Sequence, residues 1–138
     1  MEVRICDAQA TAHESEALAA MMAACIAQAT REVDEGVPFL DPAPRLIEEN
    51  MWRAIRFGLD GRLIDLRRAA EYPAREVVDR LAAWTEPIRS ELGIDLAFPD
   101  RNGAQRQRRM IEAGAGREEV FAASVAETRQ SYSQEVTV

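Results

Sequence analysis

The sequence predicts a mostly α-helical fold, with four to five helices and one or two short strands, and three observations carry that prediction. Apolar residues recur at helical spacing over residues 12–35 and again in shorter stretches from Pro44 and from Pro73. Proline and glycine stand where helices should begin and end, at Gly36, Pro44, Gly58 and Pro73. Strand-like patterning is short, at residues 2–6 and 62–66 and at most in the last five residues. The 138 residues fit one domain over 1–138. A domain of that size removes roughly two-thirds of its unfolded surface from water.

In EVRIC, residues 2–6, Val3 and Ile5 alternate with Glu2, Arg4 and Cys6. That is the pattern of a half-buried strand. A lone short strand is not stable, because its backbone groups need partners, so something must pair with it. Thr11 and Glu14 form a T-x-x-E capping box. A long helix should follow to about Glu35, stopped by Gly36. Its stripe of Leu18, Met21, Met22, Cys25, Ile26, Ala29 and Val33 reads as core. The other side carries Glu16, Ala20, Ala24 and Arg31, and its alanines leave room for a second helix or another chain.

Residues 36–43 are a proline- and glycine-rich loop. A second helix is expected over 44–57, with Pro44 in its first turn and Gly58 at its exit. Asp60-Gly61 signals a turn before a short strand at 62–66. Pro73 opens a third helix holding Val77, Val78, Leu81 and Trp84, and Pro87 should kink or end it. Residues 93–103 form a loop. Helices over 104–113 and 117–130 follow, and residues 131–138 read as a tail, within which QEVTV could add a strand.

Composition narrows the function. The net charge is −7 and the isoelectric point is about 4.8, which argues against non-specific nucleic-acid binding and against an anionic membrane surface. No apolar run approaches the length of a transmembrane helix, and no secretory signal opens the chain. All 17 basic residues are arginine, a bias that a GC-rich genome explains and that selection for the planar guanidinium fork explains at a few positions. The two cysteines, Cys6 and Cys25, and the single His13 make neither a disulfide framework nor a zinc spacing. Both thiols are expected buried and free, as suits a reducing cytoplasm.

Three constellations carry chemistry. Glu2 and Arg4 share a strand face, with Asp7 just beyond. They read either as a carboxylate–guanidinium pair for a metal–nucleotide site or as an exposed ion pair. Asn50, Arg53 and Phe57 share one helix face with Leu46, while Trp52 and Arg56 share another. This second group reads as an anion site, with Asn50 as an orienting hydrogen-bonder, or as a salt bridge to an acid of a neighbouring helix. Arg106, Arg108 and Arg109 crowd a helix start, where positive charge is misplaced unless an anion or an acidic surface compensates it, and they read either as such a site or as a solvated face.

The run EVRICD before a long helix, then N-x-W-R-A-x-R-(aromatic)-G-L-D-G, then L-I-D and P-A-R-E, then G-A-x-R-Q-R, resembles the type 2 glutamate–cysteine ligase family, over roughly residues 2–130. The resemblance implies the C-terminal part of a glutamine-synthetase-like ligase fold. It implies ATP-dependent joining of a carboxylate, typically the γ-carboxylate of glutamate, to an amine such as that of cysteine. It implies Mg²⁺ at Glu2, a catalytic and phosphate-contacting role for Arg4, and nucleotide-site support from Asn50, Arg53 and Arg56. Arg106 and Arg108 carry over more weakly, and Cys6 receives no role. Family members are much longer, so the resemblance also implies that the chain is incomplete and inactive alone. It would then be completed by a second copy or by a complementary N-terminal ligase half, with small amino acids as substrates. A non-catalytic helical binding or dimerisation module derived from the ligase is the alternative.

Overall fold

In a computed structural model, the structure describes Cys6, residues 8–38 and residues 40–134. The strand expected at 2–6 lies outside these residues except for Cys6, and a strand in QEVTV lies outside them except for Gln134. The described part is mostly helical, as expected. Helices α1 (Ala12–Asp34) and α2 (Pro44–Phe57) are followed by a single 3-10 turn (Gly58–Asp60). Strands β1 (Arg62–Asp65) and β2 (Ala70–Pro73) come next, then helices α3 (Ala74–Leu92), α4 (Gly103–Glu112) and α5 (Arg117–Gln134). The residues cluster into two compact units, one drawn from Met1–Ala23 and Asp95–Val138, the other from Ala24–Ile94.

In the first unit, the Thr11–Glu14 box forms as predicted. The Glu14 amide donates to Thr11 Oγ1 at 3.2 Å, and the Thr11 amide donates to Glu14 Oε2 at 3.1 Å. The buried positions of α1 here are Ala12, Glu14, Ala17 and Met21. A second capping box starts α4, where Asn102 accepts from the Gln105 amide and Gln105 reaches back to the Asn102 amide. Helix α5 continues through Gln134, four residues into the segment expected to be a tail. The Ala12 amide donates to Ser131 Oγ at 2.9 Å, and Ser15 and Tyr132 hydroxyls meet at 2.7 Å. These polar contacts with the start of α1 hold the last turn of α5, and no apolar periodicity announces them. Cys6 is exposed rather than buried, with its thiol 3.7 Å from Met22 Sδ.

In the second unit, α1 ends where Gly36 adopts a left-handed φ of 72° and the Val37 amide returns to the Glu32 carbonyl. Ala24, assigned by pattern to the far side of α1, is fully buried, whereas Val33 of the expected core stripe is 70% exposed. Alanine at position 24 permits close approach there, while Leu18, Met22 and Ile26 of the expected stripe are half-buried. Cys25 is half-buried, and burial pushes its thiol pKa up.

Strand β1 forms where the sequence predicts it. It pairs antiparallel with β2, in the register Leu63↔Tyr72 and Ile64↔Glu71. Strand β2 was not expected, because its four residues AEYP are too short for an alternation signal. Helix α3 does not end at Pro87; it runs on to Leu92. In the turn before the proline, the fully buried Thr85 hydroxyl is 3.1 Å from both the Leu81 and Ala82 carbonyl oxygens. The Arg89 guanidinium donates to the Ala82 carbonyl at 3.0 Å. Side chains thereby support the stretch that proline would weaken.

Candidate functional site

Asn50, Arg53 and Arg56 all lie on α2, but the structure gives them three different surroundings. Leu46, Glu49, Asn50 and Arg53 are half-buried along one face, as the helical spacing requires. The Asn50 amide is spent on β1. Its Nδ2 donates to the Ile64 carbonyl at 2.8 Å, and its Oδ1 accepts the Ile64 amide at 2.8 Å. Asn50 thus stands in for a third strand along the free edge of the hairpin.

Arg53 is held by two carboxylates. Its Nε donates to Glu49 Oε1 at 2.7 Å, one helical turn away, and its Nη1 meets Glu71 Oε1 of β2 at 2.8 Å. These hydrogen bonds, to Glu49 first and then Glu71, raise the already high pKa of the guanidinium against a smaller effect of burial. Arg62 adds a weaker contact to Glu71, at 3.7 Å. Arg53 is thus salt-bridged, but to its own helix and to a strand rather than to a neighbouring helix. Arg56 is exposed in the last turn, its guanidinium 5.5 Å from the centre of the Phe57 ring.

Around Arg53 lies an open cleft of about 360 Å³, lined by Glu49, Trp52, Arg53, Phe57, Gly61, Arg62 and Glu71. Trp52 and Phe57 meet edge to face at 5.6 Å. Two guanidiniums, two carboxylates and two aromatic rings therefore share one small surface. Such a cleft suits a ligand with both a flat apolar part and charges of both signs, but its cations already have partners.

A second cleft, of about 370 Å³, lies in the first unit between Ala10, α4 and α5, with Arg106, Ser124 and Glu127 in its wall. Arg106 meets the buried carboxylate of Glu14 with both terminal nitrogens, at 2.6 and 3.1 Å. Its Nε lies 3.4 Å from Glu127. The Arg106 hydrogen bond holds the Glu14 carboxyl below its ordinary pKa, against the upward push of burial. This acid compensates the positive charge that looked misplaced at the start of α4. Arg108 and Arg109 are exposed.

The hairpin carries a cluster that sequence reasoning left without a role. Asp65 Oδ1 accepts the amides of Arg67 and Arg68, both at 3.0 Å. Its Oδ2 accepts from Arg68 and from Arg80, both at 3.1 Å. Burial raises the Asp65 pKa, but these bonds, led by the Arg68 amide, outweigh it and hold the carboxyl below its usual range. Arg80 in turn pairs with Glu76 and stacks 3.7 Å above the Tyr72 ring. The signal was present in L-I-D and P-A-R-E, which supply Asp65 and Glu76.

Glu2 and Arg4, together with Asp7, lie outside the described residues. Among the described residues, no group of three or more His, Cys, Asp or Glu side chains is placed to hold a metal ion. No described helix is long and apolar enough to cross a membrane.

The model of the family described as glutamate–cysteine ligase family 2 matches residues 1–128. A Solibacter usitatus protein named "Putative glutamate–cysteine ligase 2" is 36% identical over 118 residues, covering 80% of this chain and 31% of that relative. A Frankia alni protein with the corresponding name, numbered 2-2, is 36% identical over 116 residues, covering 78% of this chain and 30% of its own length. A Gloeobacter violaceus relative is 35% identical over 117 residues, covering 80% and 32% respectively. The chain spans about a third of the length of these curated relatives. No solved structure gives a significant match.

Proposed function

The chain belongs to glutamate–cysteine ligase family 2, and from that premise we propose that it supplies one part of an ATP-dependent carboxylate–amine ligase site in the cytoplasm. The remaining part comes from polypeptide beyond the matched third. In the proposed reaction the γ-carboxylate of glutamate attacks the terminal phosphorus of ATP, and ADP leaves. The amine of cysteine then attacks the acyl phosphate, phosphate leaves, and a γ-glutamyl amide forms, the kind of bond that opens glutathione biosynthesis. Positioned cations lower the cost of the charge that moves in such a transfer.

The match over residues 1–128, against relatives about three times as long, is the observation that carries this reading. The described residues agree with a divided site. Arg53 and Arg106 are held by Glu49, Glu71 and Glu14, and the family resemblance makes Arg4 the phosphate-contacting arginine and Glu2 the metal-side carboxylate. Asn50 and Arg53 then support the site by fixing the hairpin, and the exposed Arg56 in the last turn of α2 approaches a nucleotide. Mg²⁺ belongs to the completed site, with Glu2 as the carboxylate this chain contributes to it.

The test is product formation from glutamate, cysteine and ATP. The pure chain should give none. The chain combined with the complementary ligase part should give product, lost on Glu2→Gln and on Arg4→Ala. Turnover by the pure chain, abolished by Glu2→Gln, would overturn the divided site. The commitment of Arg53 and Arg106 to internal acids favours one second reading, a non-catalytic binding module, and an inactive combination that still binds its partner would establish it.

A further inference from the structure

Helix α2 is amphipathic in the reverse of the usual sense. Its polar face, with Asn50 and Arg53, is fastened to the hairpin. The opposite face carries Ile47, Met51 and Ile55 at i, i+4 and i+8, with Trp52 beside them. All four are exposed: Ile55 at 83%, Trp52 at 55%, Ile47 at 45% and Met51 at 42%. No residue of this helix is buried. An apolar stripe running the length of a helix normally faces a core, and a continuous exposed patch marks an interaction surface.

We propose that this stripe is the surface on which the complementary ligase polypeptide docks, seating α2 in an apolar groove. The inference rests on the divided-site reading and names the surface that joins the two parts. Two observations choose the occupant. The relatives are about three times as long as this chain, so in them most of the fold that could cover α2 lies outside the matched third. The stripe is also narrow. A 14-residue helix is about 21 Å long, and its single face falls short of the roughly 800 Å² per partner that a stable dimer needs. Two copies meeting through α2 alone would therefore associate weakly. A partner that continues past the helix would not be limited in this way, and anchors at i, i+4 and i+8 suit helix-in-groove recognition.

The experiment co-expresses the full tagged chain with the stretch of the Solibacter usitatus relative that it does not match. Ile55→Glu and Met51→Glu are compared with Phe121→Glu, a 72% exposed residue of α5. Circular dichroism checks that each variant keeps its helices. Wild type and Phe121→Glu should co-purify with the probe near one to one. Ile55→Glu and Met51→Glu should each weaken recovery by at least about tenfold, since one buried apolar side chain contributes about that much. A complex indifferent to both α2 substitutions overturns the docking surface while leaving the divided site standing. No complex with wild type overturns the divided site and this inference with it. A dimer of the chain alone that Ile55→Glu dissolves makes a second copy the occupant, and overturns the proposal.

Discussion

Asn50 grips the backbone of Ile64 from both sides of its amide, donating to the carbonyl and accepting from the amide, each at 2.8 Å. Only a planar group with a donor and an acceptor side by side completes this pair. Asn50→Ala would leave both backbone groups of Ile64 without these partners. The expected cost is about 1–2 kcal/mol, with amide exchange at Ile64 accelerating well before that of α3. Asn50→Asp should cost at least as much as the alanine change, because its second oxygen would face the Ile64 carbonyl. Unchanged exchange at Ile64 in either variant would remove Asn50 from the role of hairpin clasp.

Gly61 is required for a different reason. A Cβ built there would lie 2.7 Å from Phe57 Cβ and 3.3 Å from the Gly58 carbonyl oxygen. Its backbone is extended, at φ −86° and ψ −170°, so the constraint is space and not handedness. The turn sits between α2 and β1, and the Ala74 amide donates to the Gly61 carbonyl at 2.9 Å. Gly61→Ala must move Phe57 or the turn, at a cost of about 1–3 kcal/mol. Because Trp52 touches Phe57, the tryptophan emission spectrum should shift as well. Native stability with an unshifted spectrum would contradict this.

Glu14 and Arg106 set an acid limit on stability. The folded carboxyl lies below its ordinary value near 4.5. Its contribution is therefore fully present above that value and is lost as the pH falls through the depressed folded value. Glu14→Gln should lower stability by about 2 kcal/mol at pH 7. The gap to wild type should narrow as the pH falls from 4.5 towards the depressed folded value, as the wild-type carboxyl gains its proton. Urea midpoints at pH 7 and pH 3 measure this. Equal gaps at the two pH values would show that the pair is not the source. Arg106→Met should mirror the result from the other partner.

The helices were legible wherever local chemistry decided them: the T-x-x-E box, Pro44 at the start of α2, Gly36 at the end of α1. Strand β1 was legible from Asp60-Gly61. What the sequence concealed depends on partners distant in the chain. Ser131 and Tyr132 become helical in contact with Ala12 and Ser15, more than 100 positions away. Helix α3 runs on past Pro87, and the side-chain bonds of Thr85 and Arg89 to the carbonyls of the preceding turn are ones that no period encodes. The face shared by Asn50 and Arg53 was readable from spacing, but a guanidinium waiting for an anion and one already paired look identical until Glu71 is placed. Asp65 was overlooked because its partners are two backbone amides of the turn, the side chain of Arg68 and an arginine 15 residues on.

That same ambiguity gives the last prediction. Arg53 shares its cleft with Arg62, Trp52 and Phe57, and Glu49 and Glu71 hold its guanidinium there. An anion entering the isolated chain must displace carboxylates already at hydrogen-bonding distance, and it meets a chain of net charge −7. Wild type should therefore show little change in tryptophan fluorescence on titration with pyrophosphate. Replacing both acids, Glu49→Gln with Glu71→Gln, removes two negative charges and frees the fork without changing side-chain shape. Pyrophosphate should then quench Trp52, which lines the cleft, and Trp52→Phe should abolish the signal, leaving Trp84 as a silent background. Because exposed charges are screened by salt, the gain should fall as ionic strength rises past the point where the Debye length is about 10 Å. Strong quenching already in wild type would mean that the two glutamates do not hold Arg53 in solution, and that α2 offers an open anion site after all.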